Sequence, residues 1–180
     1  WKLAQSKKVD SLFCIPGNGG ISELADCIEM NTGDTEGLIG FSKHEHVDLV
    51  VVGPENPLAS GIVDRFEEEG IPIFGPCWKG AQIEASKVFA KELMSKHHIP
   101  TADFRVFHDY DDAVGYMKTI QPPFVIKADG LCAGKGAYVI REQNEGEDVL
   151  RDLMLNLIHE DAGKITIIEQ FLSGVEASYL

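Results

Sequence analysis

Two lysines bracket a glycine-rich stretch, Lys127-Ala128-Asp129-Gly130-Leu131-Cys132-Ala133-Gly134-Lys135-Gly136. Glycines let backbone N–H groups approach an anion closely, and cations at both ends of the loop supply opposing charge, so these residue types suit a phosphate. A Walker-type loop, G-x-x-x-x-G-K-[ST], runs directly into a helix whose N-terminus completes the anion site. Here three residues separate Gly130 from Gly134, Gly136 follows Lys135, and Ala137-Tyr138-Val139-Ile140 resumes an extended pattern. With the apolar Phe124-Val125-Ile126 in front, the unit predicted is strand, flexible glycine loop, strand: a flap over phosphates. The plainer alternative is a hairpin turn with Lys127 as a strand-end cation. Tight hairpins use about two to five loop residues, and this loop is longer and lysine-flanked.

The elements that position this loop follow from hydrophobic pattern and turn residues. Residues 12–15 form a short apolar run closed by Pro16-Gly17-Asn18-Gly19-Gly20, and Asp34 can cap a helix running to about residue 46. Residues 48–52 are rich in valine and end at Gly53-Pro54; a helix is expected over 58–69 with Gly70 at its C′ position. Residues 71–74 end at Gly75-Pro76, and a helix over 80–96 is expected from the i,i+4 pairs Phe89/Leu93 and Ala90/Met94. Strands that alternate with helices and read as continuous apolar runs imply an α/β fold with a parallel sheet covered on both faces. Ligands in such sheets sit beyond the C-terminal strand ends, so the Gly17-Asn18, Pro54-Glu55 and Gly75-Pro76 loops should line one crevice.

The pattern then changes. A strand is expected over 104–107, a helix over 109–120 with acids in its first turn, and then the strand-loop-strand unit. The rows Val149/Leu153/Leu157 and Leu150/Met154/Ile158 predict a helix over 148–158, and residues 164–168 return as a strand ending at Glu169-Gln170-Phe171-Leu172. The expected domains are therefore residues 1–98, parallel α/β, and 99–180, mixed α+β. Residues 1–6 read as the end of a helix and 175–180 as an alternating strand without a turn signal, so the chain is expected to be an internal fragment of a longer protein.

Composition bounds the chemistry. The chain has 180 residues, 44% of them hydrophobic, enough to bury a core. Against 29 Asp+Glu stand 16 Lys+Arg, a net charge of −13, which argues against a nucleic-acid-binding face. It does not argue against a nucleotide, because charges beyond a Debye length of about 8 Å are largely screened. Cys14, Cys27, Cys77 and Cys132 lack disulfide or metal spacing, and there is no membrane-span-length apolar run or secretion signal; reduced thiols and a cytoplasmic location are expected. The six histidines form no ligand pair, so each is expected to be structural or on the surface, and Glu67-Glu68-Glu69 is expected to be a solvated helix face.

In the order they occur, residues 1–6, Pro16-Gly17-Asn18, DLVVVGPENPL at 48–58, Gly75-Pro76, QIEASKVFAK at 82–91, Ile99-Pro100-Thr101, FVIKADGLCAGKG at 124–136 and EQFLSGVEAS at 169–178 resemble the glycinamide ribonucleotide synthetase (phosphoribosylamine–glycine ligase) family of the ATP-grasp superfamily. The resemblance spans nearly the whole chain. It implies a substrate-side parallel domain at 1–98 and the first part of an ATP-grasp nucleotide-binding domain at 99–180.

It further implies that Lys127 contacts ATP phosphates and acts in catalysis, and that the loop carrying Gly130, Gly134, Lys135 and Gly136 folds over them. Lys87 would be a second nucleotide-contacting lysine, although on its own pattern it reads as a solvated lysine beside Lys91. Glu169, Gln170, Phe171 and Leu172 match the hinge lining the adenine, and Glu176 the acid bonding the ribose hydroxyls. Gly17, Asn18, Pro54, Glu55 and Pro57 would belong to the phosphoribosylamine side. The implied reaction joins glycine to 5-phosphoribosylamine with ATP in de novo purine biosynthesis through a glycyl phosphate, with Mg²⁺ held by acids expected beyond residue 180, so the segment alone is not expected to turn over. The chain departs from the family pattern where the hinge begins Glu169-Gln170 rather than Glu-Glu, and where Val175 precedes Glu176. Two other readings share these residues: another ATP-grasp carboxylate-amine ligase or carboxylase, and a nucleotide-binding module without catalysis. Neither nucleic acid nor membrane is expected as a partner.

Overall fold

Asp34 ends the loop before the first α-helix, and in the computed structural model, which describes residues 1–178, its carboxylate accepts a hydrogen bond from Gly37 N at 3.0 Å. The helix it caps, α1, runs Thr35–His44, as the capping residue predicts. Asp34→Ala should lower chain stability by about 1 kcal/mol, because a lost N-cap strands a helix-end N–H. A urea midpoint that stays put in that variant would show that the cap contributes nothing.

The chain forms two compact units, Trp1–Ala81 and Gln82–Leu180. In the first, β1 (Phe13–Cys14) pairs in parallel with β2 (Asp26–Cys27), and β3 (Val50–Val51) pairs in parallel with β4 (Ile73–Phe74). The parallel sense was legible, but the strands make two separate two-stranded ladders rather than one sheet. β2 was not anticipated, because Asp26-Cys27 lacks the apolar run that marks a buried strand. Leu38 and Ile39 of α1 bury against Ile62, Val63, Phe66 and Ile71, with Val50, Val52 and Ile73 packed alongside.

The helix expected over 58–69 is two helices, α2 (Glu55–Ala59) and α3 (Ile62–Glu68). Gly61 separates them with φ +84°, a left-handed conformation that glycine adopts without steric cost. Gly70 follows α3 with φ +70°, as its expected C′ role requires. On the outer face Arg65 pairs with Glu36 and Glu68, and Lys43 with Glu69; the hydrogen bond from Lys43 holds the Glu69 carboxyl below its usual range.

The helix expected over 80–96 also divides, into α4 (Trp78–Ala85) and α5 (Lys87–Lys96). Ser86 is extended and its Oγ accepts from Phe89 N at 3.0 Å, so a side-chain cap interrupts an otherwise continuous apolar pattern. In the second unit a four-stranded antiparallel sheet has the order β5 (Phe104–Phe107), β8 (Thr166–Gln170), β6 (Phe124–Ala128), β7 (Ala137–Ile140). β6 and β7 flank the glycine loop with Lys127 opposite Ala137, which is the strand-loop-strand unit that the spacing predicts.

Two helices close the core of the second unit: α6 (Tyr110–Met117), capped by Asp109 on Asp112 N, and α7 (Gln143–Met154). Phe124, Ile126 and Ala128 alternate along β6 and bury with Ile140, Ile168, Met117, Leu150 and Leu153. The expected helix over 148–158 is shifted toward the N-terminus. Glu145 accepts from Arg141 N at 3.1 Å near the start of α7, and Leu157 adopts φ +50° while Ile158 is exposed, so both apolar rows lose their last members.

At the chain's ends, Leu3–Gln5 is a single 3₁₀ turn instead of the end of an α-helix. Val175 to Ser178 are described and form no strand, while the rest of that expected strand, Tyr179 and Leu180, lies outside the described residues. Among the described residues no helix is long and apolar enough to cross a membrane.

Candidate functional site

Alternation along β6 and β8 separates core from chemistry. Phe124, Ile126 and Ile168 point to α6 and α7, so Lys127 and Glu169, one residue out of phase, share the opposite face of the sheet. Their ladder partners are Ile167 and Val125, which makes them diagonal neighbours within reach of long side chains. The Lys127 ammonium pairs with Glu169 Oε1, and the Lys91 ammonium of α5 pairs with Oε2 of the same carboxylate.

Burial grades these three groups. The Glu169 side chain is 6% exposed, Lys91 12% and Lys127 28%. Lys91 also donates to Thr101 Oγ1 at 3.0 Å and Ala102 O at 3.2 Å, and lies 5.3 Å from the centre of the Phe104 ring. Glu169 Oε2 faces Lys91 outside hydrogen-bond alignment, so it is matched in charge but not as an acceptor. Among the described residues Glu169 is the one partner of Lys127, whose ammonium keeps donors for an anion at the open face.

A second cluster ties the glycine loop to α5. Asp129 Oδ1 accepts from Val88 N at 2.7 Å and from Ser86 Oγ at 3.0 Å, so a residue of the loop caps a helix distant in sequence. Lys87 N donates to Asp129 O at 3.1 Å, and Lys87 Nζ donates to Gly130 O at 2.8 Å. Lys87 and Lys91, four residues apart, lie on one side of α5. Lys87 is not the solvated lysine that the helix pattern alone suggests; it is half-buried.

The loop is pinned at its base and open at its tip. Asp129 N donates to Ala162 O and Ile165 O, and Ala162 sits so close to Gly130 that an added Cβ would come within 2.7 Å of its methyl. Gly136 is buried against Cys132, while Gly134, with φ +78°, and Lys135 are exposed. His159 Nε2 lies 2.9 Å from the Tyr138 hydroxyl and 3.1 Å from Lys135 O, a structural contact under the loop. Burial raises the Tyr138 hydroxyl above its ordinary pKa.

Of the anticipated residues, the structure thus joins Lys127 to Glu169 by an ion pair and Lys87 to Gly130 by a hydrogen bond, with Lys87 on the same helix as Lys91. Gln170 closes β8, its N–H donating to Asp103 O at 2.8 Å; Phe171 is half-buried, and Leu172 and Glu176 are exposed. Glu176 is joined to none of Lys87, Lys127, Glu169 and Gly130 by a hydrogen bond or ion pair among the described residues.

In the first unit the parallel register sends Gly53-Pro54 and Gly75-Pro76 out of the same end of β3 and β4, with Gly75 backed by Leu58 and Val63. The Gly17-Asn18 turn is engaged elsewhere: Gly17 packs on Cys27, and Asn18 Oδ1 accepts from Gly20 N and Ile21 N at 3.0 Å. Pro54 and Glu55 are exposed, whereas Pro57 is buried and packs α2. Lys91, Asp129 and Ser86 were not among the residues anticipated for the site. Their partners lie far along the chain, and the one local signal was Asp129 standing inside the loop. Among the described residues no group of three His, Cys, Asp or Glu side chains could hold a metal ion.

Comparison with known proteins sets this geometry in context. Residues 1–84 match the family described as phosphoribosylglycinamide synthetase, N domain, and residues 85–180 match phosphoribosylglycinamide synthetase, ATP-grasp (A) domain. The phosphoribosylamine–glycine ligase of Clostridium acetobutylicum is 44% identical over 180 residues, covering 100% of this chain and 43% of that protein. The crystal structure of phosphoribosylamine–glycine ligase from Thermotoga maritima superposes with a TM-score of 0.75 at 26% identity, covering 97% of this chain and 41% of the other. A biotin carboxylase domain from Hydrogenobacter thermophilus shares the fold, with a TM-score of 0.73 at 20% identity over 90% of this chain and 39% of its own. The chain thus spans about two fifths of the length of these relatives.

Proposed function

This chain belongs to the phosphoribosylglycinamide synthetase family, with an α/β N domain followed by ATP-grasp sequence, and from that premise we propose that the protein carrying it ligates glycine to 5-phosphoribosylamine at the expense of ATP. A glycine carboxylate oxygen attacks the γ-phosphorus and ADP departs, giving glycyl phosphate. The amine nitrogen of phosphoribosylamine then attacks the acyl carbon, and phosphate departs with formation of the C–N bond. No side chain is consumed as a nucleophile. The protein's task is to position the reactants and to oppose negative charge as it moves.

Lys127 supports this reading most strongly. It is fixed by Glu169 from below and open above, at the mouth of a loop whose backbone can lie along a phosphate chain. Lys87 holds the start of the loop, and on this reading turns from the Gly130 carbonyl toward phosphate when nucleotide arrives. Gln170, Phe171 and Leu172 line the adenine, and Glu176 meets the ribose. In the first unit Gly17, Asn18, Pro54 and Glu55 carry the phosphoribosylamine contacts. Bound Mg²⁺ would neutralise phosphate charge and polarise the transferred group, its protein ligands coming from outside the described residues. A cytoplasmic setting belongs to the same proposal.

The test is a coupled ADP assay on the full protein with Mg²⁺. ADP release that requires both glycine and phosphoribosylamine, with one phosphate and one glycinamide ribonucleotide formed per ADP, is the expected result. Release driven by bicarbonate in place of glycine would favour a carboxylase, and ATP binding without turnover would favour a binding module.

A further inference from the structure

We propose that Lys91, which touches no substrate in the reaction above, is a positioning residue that sets the charge of the nucleotide site by neutralising Glu169. The inference rests on nucleotide binding at Lys127. The Lys91 ammonium is committed to the protein: Glu169 Oε2, Thr101 Oγ1 and Ala102 O surround it, and it is 12% exposed. Two of its three donors go to Thr101 and Ala102, and the Glu169 carboxylate closes the remaining side, so the group faces the protein and not a ligand.

Its effect is on the carboxylate. Glu169 is the most deeply buried of the three groups and carries one negative charge between two ammonium groups. With Lys91 in place, Lys91 and Glu169 cancel and the charge of Lys127 is uncompensated toward an incoming phosphate. Without Lys91, the same carboxylate is matched by Lys127 alone, and this pair presents no net charge. Lys91 also fixes Oε2, which leaves Oε1 as the oxygen that orients Lys127. In a half-buried site such charges are poorly screened, so the change is felt where the phosphates sit.

This role predicts a loss that grows with ligand charge, which a general packing role would not produce. In the full protein, titration calorimetry with ATP, ADP and AMP in the absence of glycine compares wild type with Lys91→Met. ATP binding should weaken on the order of tenfold, ADP less, and AMP by under about threefold, with a shallower salt dependence for ATP. Lys91→Arg should restore the wild-type ATP:AMP affinity ratio. The double variant Lys91→Met/Glu169→Gln should restore it too, since Lys127 is then again uncompensated, and it serves as the test if Lys91→Met alone does not fold. Equal losses for all three nucleotides, no loss, or a double variant whose ratio stays depressed would each overturn the proposal. Wild-type protein that binds no ATP would overturn the nucleotide-site reading together with it.

Discussion

Lys127→Met should weaken ATP binding by roughly 10- to 150-fold while leaving the fold intact, because a charge-assisted hydrogen bond contributes about 1.5–3 kcal/mol and the variant removes a cation that faces the ligand. Stability is spared for a local reason. When Lys127 is lost, Glu169 keeps Lys91 on its other oxygen, so no buried charge is orphaned. The readout is calorimetric titration of ATP alongside a thermal melt. Affinity within threefold of wild type, with an unchanged melt, would mean that the phosphates lie elsewhere and that Lys127 serves only the sheet.

Glu169→Ala should have the reverse signature, with stability falling by about 3 kcal/mol, the scale at which breaking a buried ion pair leaves its partner uncompensated. Here two ammonium groups lose one shared carboxylate, and Lys91 has little water to turn to at 12% exposure. The surface pairs of Arg65 and Lys43 should matter much less, since exposed ion pairs are solvated whether or not they form. Urea unfolding measures the difference. A midpoint shift for Glu169→Ala no larger than that for Glu68→Ala would show that the three-residue cluster does not stabilise the second unit.

Seen together, the two variants separate what Glu169 and Lys127 do. On the proposed function, Glu169 holds charge inside the protein and Lys127 offers charge to a ligand. The family resemblance implies a hinge at residues 169–172, and the Glu169 side chain is turned to the two lysines.

Much of this was legible in the sequence because it depends on near neighbours. Asp34 announces α1, since an N-cap is satisfied by amides within one turn, and the acids of its first turn announce α6. The alternation of Phe124 to Ala128 and of Ala137 to Ile140 announces β6, β7 and the glycine loop between them, since a strand's two faces follow from its own residues. The motif order identified the family. Tertiary structure alone decided that two expected helices would divide at Gly61 and Ser86, that Asp129 would cap α5, and that Lys91 and Lys127 would share Glu169. Local pattern specifies which face of an element is apolar. Which charges that face excludes from water, and which partners then neutralise them, is settled only when segments distant in sequence pack together.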